Sequence, residues 1–314
     1  MKEITDDFEL SIVSTIYNDA ALVSALVDQI QEHTNKLNIS YEIVLVNDCS
    51  SDESENEIEK ICKKFENVKG ISLARNFGQQ IAMSAGIRYA SGKYVIIMDG
   101  DLQNPPSEIP RLYHEIKKGY DVVYTVSSTR NNILDKFTSA VFWILLTRLF
   151  CVKIVQNQLM LKIMTRDFVN RYNSYSEINR TVAGIVRDIS ANFQVLKVEN
   201  NLRSIGKSHY SFFNRVNLLI DILISLSNTP LNMMIYFGWF IFLITIVFSA
   251  YYFVNYFFFD VPAGFTSIIL TVFFFGSLTV FLLGFIGRYL SNIYTEVRNR
   301  PLFHVKSFYN ILPR

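Results

Sequence analysis

Short apolar runs alternate with longer amphipathic stretches through the first part of the chain. Residues 10–16, 41–46, 68–73, 94–98 and 121–126 are mostly apolar and rich in Val and Ile, the pattern of buried strands. Between the first two, Leu22, Leu26, Val27 and Ile30 place one apolar face on a helix over residues 20–33. Residues 53–65 and 78–90 read as further helices, and Pro105-Pro106-Ser107 opens a fourth that runs through Lys118. Asn18-Asp19 and the polar cluster at 47–52 supply turn and N-cap chemistry at helix starts. This alternation predicts an α/β domain, a mostly parallel sheet with helices on both faces.

The pattern changes at residue 132. Residues 132–150 carry a broad apolar stripe through Ile133, Phe137, Val141, Ile144 and Leu145, and residues 212–229 are similar. Both stretches fit helices lying in a membrane interface, and both also fit core helices. Residues 231–259 and 261–287 contain no charge. Each exceeds the roughly 20 residues needed to cross a bilayer. They predict transmembrane helices over 230–259 and 263–288, joined by a turn marked by Asp260, Pro262 and Gly264. That turn has no Lys or Arg, whereas Arg203, Lys207 and Arg215 precede the pair and Arg288, Arg298, Arg300, Lys306 and Arg314 follow it. Positive outer flanks predict a hairpin with a small exoplasmic tip. The expected organisation is a cytosolic α/β domain over 1–211, a juxtamembrane amphipathic helix over 212–229, two spans, and a cytosolic tail over 289–314. Residues 1–9 are polar and acidic, unlike a signal peptide. The chain is thus expected to be a multi-pass protein of the inner or cytoplasmic membrane, with both termini cytosolic.

Composition sharpens this picture. Half of the 314 residues are hydrophobic, and the excess is concentrated in those spans. The 30 basic and 28 acidic residues nearly balance, so net charge gives no reason to expect nucleic acid. Cys49, Cys62 and Cys151 form no zinc spacing and no even disulfide framework. Two spans without internal charge weigh against a transporter. Gly276, Gly284 and Gly287 would let spans pack closely, so a homo-oligomer is expected.

The chemistry concentrates at strand ends. Asp99-Gly100-Asp101 follows the apolar run at 94–98, which delivers two carboxylates to the rim of a sheet, where open α/β folds bind ligands. Two hard oxygen ligands suit Mg²⁺ or Mn²⁺ shared with substrate phosphates, although the tripeptide also fits a plain polar turn. Tyr17-Asn18-Asp19 and Asn47-Asp48 end two other strands and point at the same crevice.

These segments carry a family likeness, with Leu73-Ala74-Arg75-Asn76-Phe77-Gly78, Met98 through Pro106, Gly119 through Tyr124, Arg203 through Ser211, Leu283 through Tyr289 and Arg300-Pro301-Leu302-Phe303. The chain resembles the inverting GT-A glycosyltransferases of family 2, and within them the polyprenyl-phosphate glycosyltransferases related to dolichol-phosphate mannose synthase. The resemblance implies a Rossmann-like GT-A domain and a nucleotide-sugar donor, with uridine as its nucleoside. It implies that Asp48 accepts from the donor's pyrimidine base, that Tyr17 and Asp19 line the same pocket, and that Gln103 lies near the sugar. Asp99 and Asp101 would be the metal pair, with Asp101 holding the cation on the diphosphate. Asp48 also fits an N-cap, and Arg75, placed at the donor, also fits a scaffold ion pair.

No carboxylate downstream of Asp101 stands out as a base for a hydroxyl acceptor. A lipid phosphate needs none, because its oxygen is already anionic at neutral pH. The resemblance implies polyprenyl phosphate, such as undecaprenyl or dolichyl phosphate, as the acceptor, and the missing base agrees with that. Cations would hold it: Arg203, on the strength of the resemblance, with Arg130, Lys136 and Lys207. Each of these also fits a solvated surface charge or a lipid-headgroup contact. The chain departs from the family pattern at 156–161, where Gln156-Asn157-Gln158-Leu159-Met160-Leu161 lacks the usual acid and Arg, and at His209, Thr15, Ser127 and Ser128. Two alternatives remain: transfer to a hydroxyl of a lipid-linked saccharide in surface-polysaccharide assembly, and a non-catalytic nucleotide-sugar-binding membrane scaffold.

Overall fold

The structure, a computed structural model, describes residues 8–127, 158–175, 177, 182–189, 191–198, 264–298 and 300–311, with further positions between 236 and 251. The helices expected over 132–150 and 212–229 lie outside the described residues, as do Arg130, Lys136, Arg203 and Lys207.

The chain forms two compact units. The first is built on an eight-stranded sheet in the order β7-β5-β6-β4-β1-β2-β3-β8. The five expected strands form as β1 (Phe8–Ile16), β2 (Tyr41–Asn47), β3 (Val68–Leu73), β4 (Gly92–Asp99) and β5 (Val122–Ser127). Pairing is parallel between β1 and β2, β2 and β3, and β1 and β4. Three further strands go beyond the sequence pattern: β6 (Gln158–Thr165), β7 (Phe193–Val198) and β8 (Val305–Tyr309). β6 runs antiparallel between β4 and β5, and β8 runs antiparallel along the β3 edge.

The central strands are buried on both faces, which explains their continuous apolar runs. Ile12, Ile43, Leu45, Ile96 and Met98 face one core with helices α1 (Ala20–Asn35), α2 (Ser54–Lys64) and α4 (Ile109–Ile116). Val13, Val44, Val46, Val95 and Ile97 face the other, with α3 (Gln79–Tyr89), α5 (Arg166–Ser174) and α6 (Val182–Asp188). Helices therefore cover both faces, as the alternation predicts. One carboxylate starts two of them: Asp52 accepts from the Ala20 amide at 3.0 Å and from the Ser54 amide at 3.0 Å.

β8 ties the end of the chain into this unit. Lys306 pairs with Glu55 at 2.9 Å, and the Asn310 side chain donates to the Val68 carbonyl at 2.9 Å. Phe303, Val305 and Phe308 pack against the second core.

In the second unit, α7 (Phe265–Val297) runs nine residues past the expected end of its span at 288. Residues 289–297 contain neither Gly nor Pro to stop the helix, so the end of the apolar run is not the end of the helix. Among the described residues it is the one helix long and apolar enough to cross a membrane. The described positions from Tyr236 to Tyr251 are all helical, and their large side chains are exposed or half-exposed.

The amino ends of the strands carry a buried polar network. Glu42 accepts from the Ser11 hydroxyl at 2.6 Å and the Ser91 amide at 2.6 Å, and its second oxygen pairs with Lys69. Burial alone would raise the Glu42 carboxyl, but bonds from Lys69, Ser11 and Ser91 outweigh it and hold it below its ordinary value. A carboxyl depressed in the folded state contributes stability above its unfolded pKa and loses it as pH falls through the folded one. Glu42→Ala is expected to destabilise the protein by about 3 kcal/mol near neutral pH, because a half-buried Lys and two serines lose their partner. The measurement is denaturant unfolding at pH 7 and below pH 4. A difference between parent and variant that does not shrink in acid would refute the charge-based account.

Candidate functional site

The order in which strands are added reverses between β1 and β4, although the two run parallel: β2 and β3 build outward on one side of β1, and β4 lies on the other. Ligands of open α/β sheets bind outside the carboxyl ends of strands at such a switch point. Register puts Thr15 of β1 opposite Asp99 of β4, so their trailing segments, Tyr17–Asp19 and Asp99–Asp101, share one rim. A cleft of about 360 Å³ opens there. Tyr17, Asp19, Asp48, Gln79, Asp99 and Asp101 are among its lining residues, so the structure gathers five sequence-chosen positions and adds Gln79.

The loops forming the rim are strained and interlocked. Asn18, Cys49 and Leu102, after β1, β2 and β4, all adopt positive φ (55°, 56° and 59°). Asn18 donates its amide to the Ser50 hydroxyl and accepts from the Ser51 amide at 2.8 Å. Two strand ends thus clasp each other. Gly100 is required by space: a Cβ there would sit 2.6 Å from the Thr15 carbonyl oxygen.

Asp48 is 3% exposed and its carboxylate is already engaged. It accepts from the Phe77 amide at 2.8 Å and the Gly78 amide at 2.9 Å. Burial raises its pKa from the ordinary value, against the pull of those two amides. Asp48 therefore fixes the loop that opens α3 while still lining the cleft. It does not start α2, since Asp52 meets that helix's first amide.

Asp99 and Asp101 differ sharply. Both Asp99 oxygens are held, one by the Gln79 side chain and the other by Asn104 at 2.8 Å. Burial and the Asp101 charge push its pKa up to about 6. Asp101 is half-buried and accepts only from the Gln103 amide at 3.1 Å, leaving its other oxygen without a partner among the described residues. The Gln103 backbone is thereby placed beside the pair. Arg75 is exposed, stacks on Phe77 with its guanidinium 4.5 Å from the ring centre, and makes no ion pair among the described residues.

One charged residue escaped the sequence reading. Lys162, on β6, is 6% exposed and lies 5.5 Å from the Tyr124 ring centre, in electrostatic contact with Asp99. Burial lowers its pKa to about 8, against the opposing influence of Asp99. The signal was present as a lone Lys inside the apolar segment Leu159-Met160-Leu161-Lys162-Ile163-Met164.

The profile for glycosyl transferase family 2 matches residues 11–166, from β1 to the start of α5. The chain belongs to this family, and its sheet unit is a GT-A fold. An uncharacterized glycosyltransferase of Synechocystis sp. is 31% identical over 307 residues, 96% of each chain. The undecaprenyl-phosphate 4-deoxy-4-formamido-L-arabinose transferase of Shewanella sediminis is 31% identical over 95% of this chain and 91% of its own. Among solved structures, a mannosyltransferase of Pyrobaculum calidifontis in complex with GDP-Man and Mn²⁺ superposes with a TM-score of 0.50. That match has 14% identity and covers 71% of this chain and 64% of the other, so it speaks to the fold.

Gly100→Ala tests the crowded rim. The added methyl must displace the Thr15 carbonyl or the Asp99–Asp101 loop, costing about 1–3 kcal/mol. Unfolding midpoint and sugar-transfer rate on one preparation should both fall. An unchanged rate would show that the loop position does not matter to the reaction.

Proposed function

We propose that this glycosyltransferase is membrane-anchored and metal-dependent, and that it moves a sugar from a uridine-linked donor to polyprenyl phosphate with inversion. The end-to-end likeness to an undecaprenyl-phosphate sugar transferase carries this reading, because it spans the catalytic sheet and the apolar segment together. The site supports it. A half-buried carboxylate with an open oxygen beside a clamped one suits a hard divalent cation that also takes phosphate oxygens. Asp101 would hold Mg²⁺ or Mn²⁺ on the donor diphosphate, with Asp99 beside it. Once bound, such a cation stabilises the departing diphosphate.

The chain's residues do the rest by position. Tyr17, Asp19 and Asp48 form the wall for the donor's base, with Arg75 nearby, and Gln103 faces the sugar. Arg203, helped by Arg130, Lys136 and Lys207, holds the acceptor phosphate. Its anionic oxygen attacks the anomeric carbon from the face opposite the leaving group. The new bond joins that carbon to the phosphate oxygen, and the old carbon–oxygen bond breaks with its electron pair on the nucleoside diphosphate. No proton has to be removed, so positioning and electrostatics suffice.

Chain topology supports the membrane hairpin independently of charge. β7 and β8 belong to one sheet, so both lie on the same side of any membrane. The segment between them must then cross an even number of times. If α7 crosses, a second crossing precedes it, and residues 230–259 are the stretch long and apolar enough. The catalytic sheet and the chain from β8 onward share the cytosolic face in this reading.

Two experiments test these readings. With labelled donor and polyprenyl phosphate in detergent, the product should be a polyprenyl phosphosugar with an inverted anomeric centre, identified by mass spectrometry after lipid extraction. Chelator should abolish it, Asp101→Asn should slow it about a hundredfold or more, and Arg203→Ala should weaken use of the lipid with donor affinity near parent level. Label found only on a saccharide hydroxyl would favour the hydroxyl-acceptor alternative. For topology, a protease added outside intact cells should cut a tag inserted at 260–264 and spare one placed after Asn310. Cleavage of the second tag would overturn the hairpin.

A further inference from the structure

Lys162 has no structural need for its charge. It sits on β6 opposite Ile97 of β4 and Tyr124 of β5. Residues directly opposed across a ladder share a face, so Lys162 stands on the face of Ile97 and of Asp99, two residues further along β4. Its neighbours there, Ile97, Met164 and Tyr124, belong to the apolar core. A buried ammonium among such groups is costly, and Met would fill the same space without that cost. Hydrogen bonding does not account for it either. Gln79 and Asn104 each donate to one Asp99 oxygen, no hydrogen bond from Lys162 is found among the described residues, and what Lys162 adds at Asp99 is a positive charge.

That charge changes what the acidic pair can bind. Asp99 and Asp101 ionised carry two negative charges, and Lys162, on the same face of the sheet as Asp99, cancels one. A divalent cation arriving alone meets a site of reduced negative charge. No third acidic, His or Cys side chain completes a metal-holding cluster among the described residues. A cation arriving with a diphosphate brings its own extra anionic oxygens. We propose that Lys162 is a positioning residue that keeps Asp99 and Asp101 from taking up a divalent cation alone, so that cation and donor diphosphate are loaded together. This rests on the nucleotide-sugar reading above. In water the interaction of a unit charge with a divalent ion a few ångströms away is already worth a several-fold change in affinity, and more where solvent is excluded.

The test is Mn²⁺ titration of the full-length protein in detergent, followed by electron paramagnetic resonance, with and without UDP. Parent protein should bind Mn²⁺ at least tenfold more tightly with UDP present. Lys162→Met should tighten Mn²⁺ binding without UDP about tenfold and shrink the enhancement by the same factor. Lys162→Arg, which keeps the charge, should retain the parent enhancement. A purely structural role would lower the unfolding midpoint without moving this ratio. Should the Met variant fail to fold, Lys162→Gln supplies the neutral side chain. An enhancement unchanged in the neutral variant overturns the role of Lys162 alone. Absence of Mn²⁺ uptake by the parent under both conditions overturns the metal and nucleotide-sugar reading, and this proposal with it.

Discussion

Two carboxylates one residue apart at the end of a buried strand repel each other, and burial raises the cost of keeping both ionised. Asp99 feels this directly: burial and Asp101 together push its pKa up to about 6. The groups that oppose the shift come from three separate places. Gln79 opens α3, Asn104 lies in the loop after β4, and Lys162 projects from β6. Each is set by its own packing, so the acidic pair can keep its geometry only while those elements stay docked. The loop around α3 is in turn fixed by Asp48, through the amides of Phe77 and Gly78. The acidic rim is therefore a consequence of the whole sheet, and the tripeptide alone would not make it.

The half of the fold that was legible in the sequence is the half with strong periodicity. β1 to β5 and α1 to α4 stand where apolar runs and capping residues predict them, because those strands are buried on both faces and α1, α2 and α4 have one wet side, while α3 is buried nearly all round. β7 and β8 were missed for the opposite reason. Phe193 is 44% exposed and most of both strands is only half-buried, so their patterns are diluted. β6 is hidden because it begins inside the atypical stretch at 156–161 and its apolar run is broken by Lys162. The cleft residues Tyr17, Asp19, Asp48, Asp99 and Asp101 were legible because they sit at strand ends in sequence. Gln79, Asn104 and Lys162 were not singled out because their role depends on which strands become neighbours. The acceptor-side candidates, Arg130, Lys136, Arg203 and Lys207, lie outside the described residues.

β8 gives the C-terminal segment a structural meaning that its composition hides. By charge it reads as a basic tail after a span. In the sheet it is an edge strand, with Asn310 meeting carbonyls at the end of α2 and the start of β3 and Lys306 meeting Glu55. An added strand on β3 also covers backbone groups that an open edge would expose. Because this strand returns after α7, the chain between β7 and β8 is a closed excursion from the sheet. Any membrane crossing within that excursion must occur an even number of times, a constraint that depends on strand pairing and not on a statistical bias.

The two ends of the sheet divide the work of stability and function. At the amino ends, Glu42, Ser11, Ser91 and Lys69 form a buried network that satisfies its charge. At the carboxyl ends, Asn18, Cys49 and Leu102 hold positive φ, each at a cost on the order of 1–3 kcal/mol. Those conformations persist because the neighbouring loops clasp each other and the strands beneath them are buried. The same strands connect the two ends, so a loss of packing at the Glu42 end would be felt as slack at the cleft. A rim built of strained loops has no packing reserve of its own, and it inherits its rigidity from strands anchored at the far end. This is why the acidic pair can be half-buried, mutually repelling and still held in one arrangement.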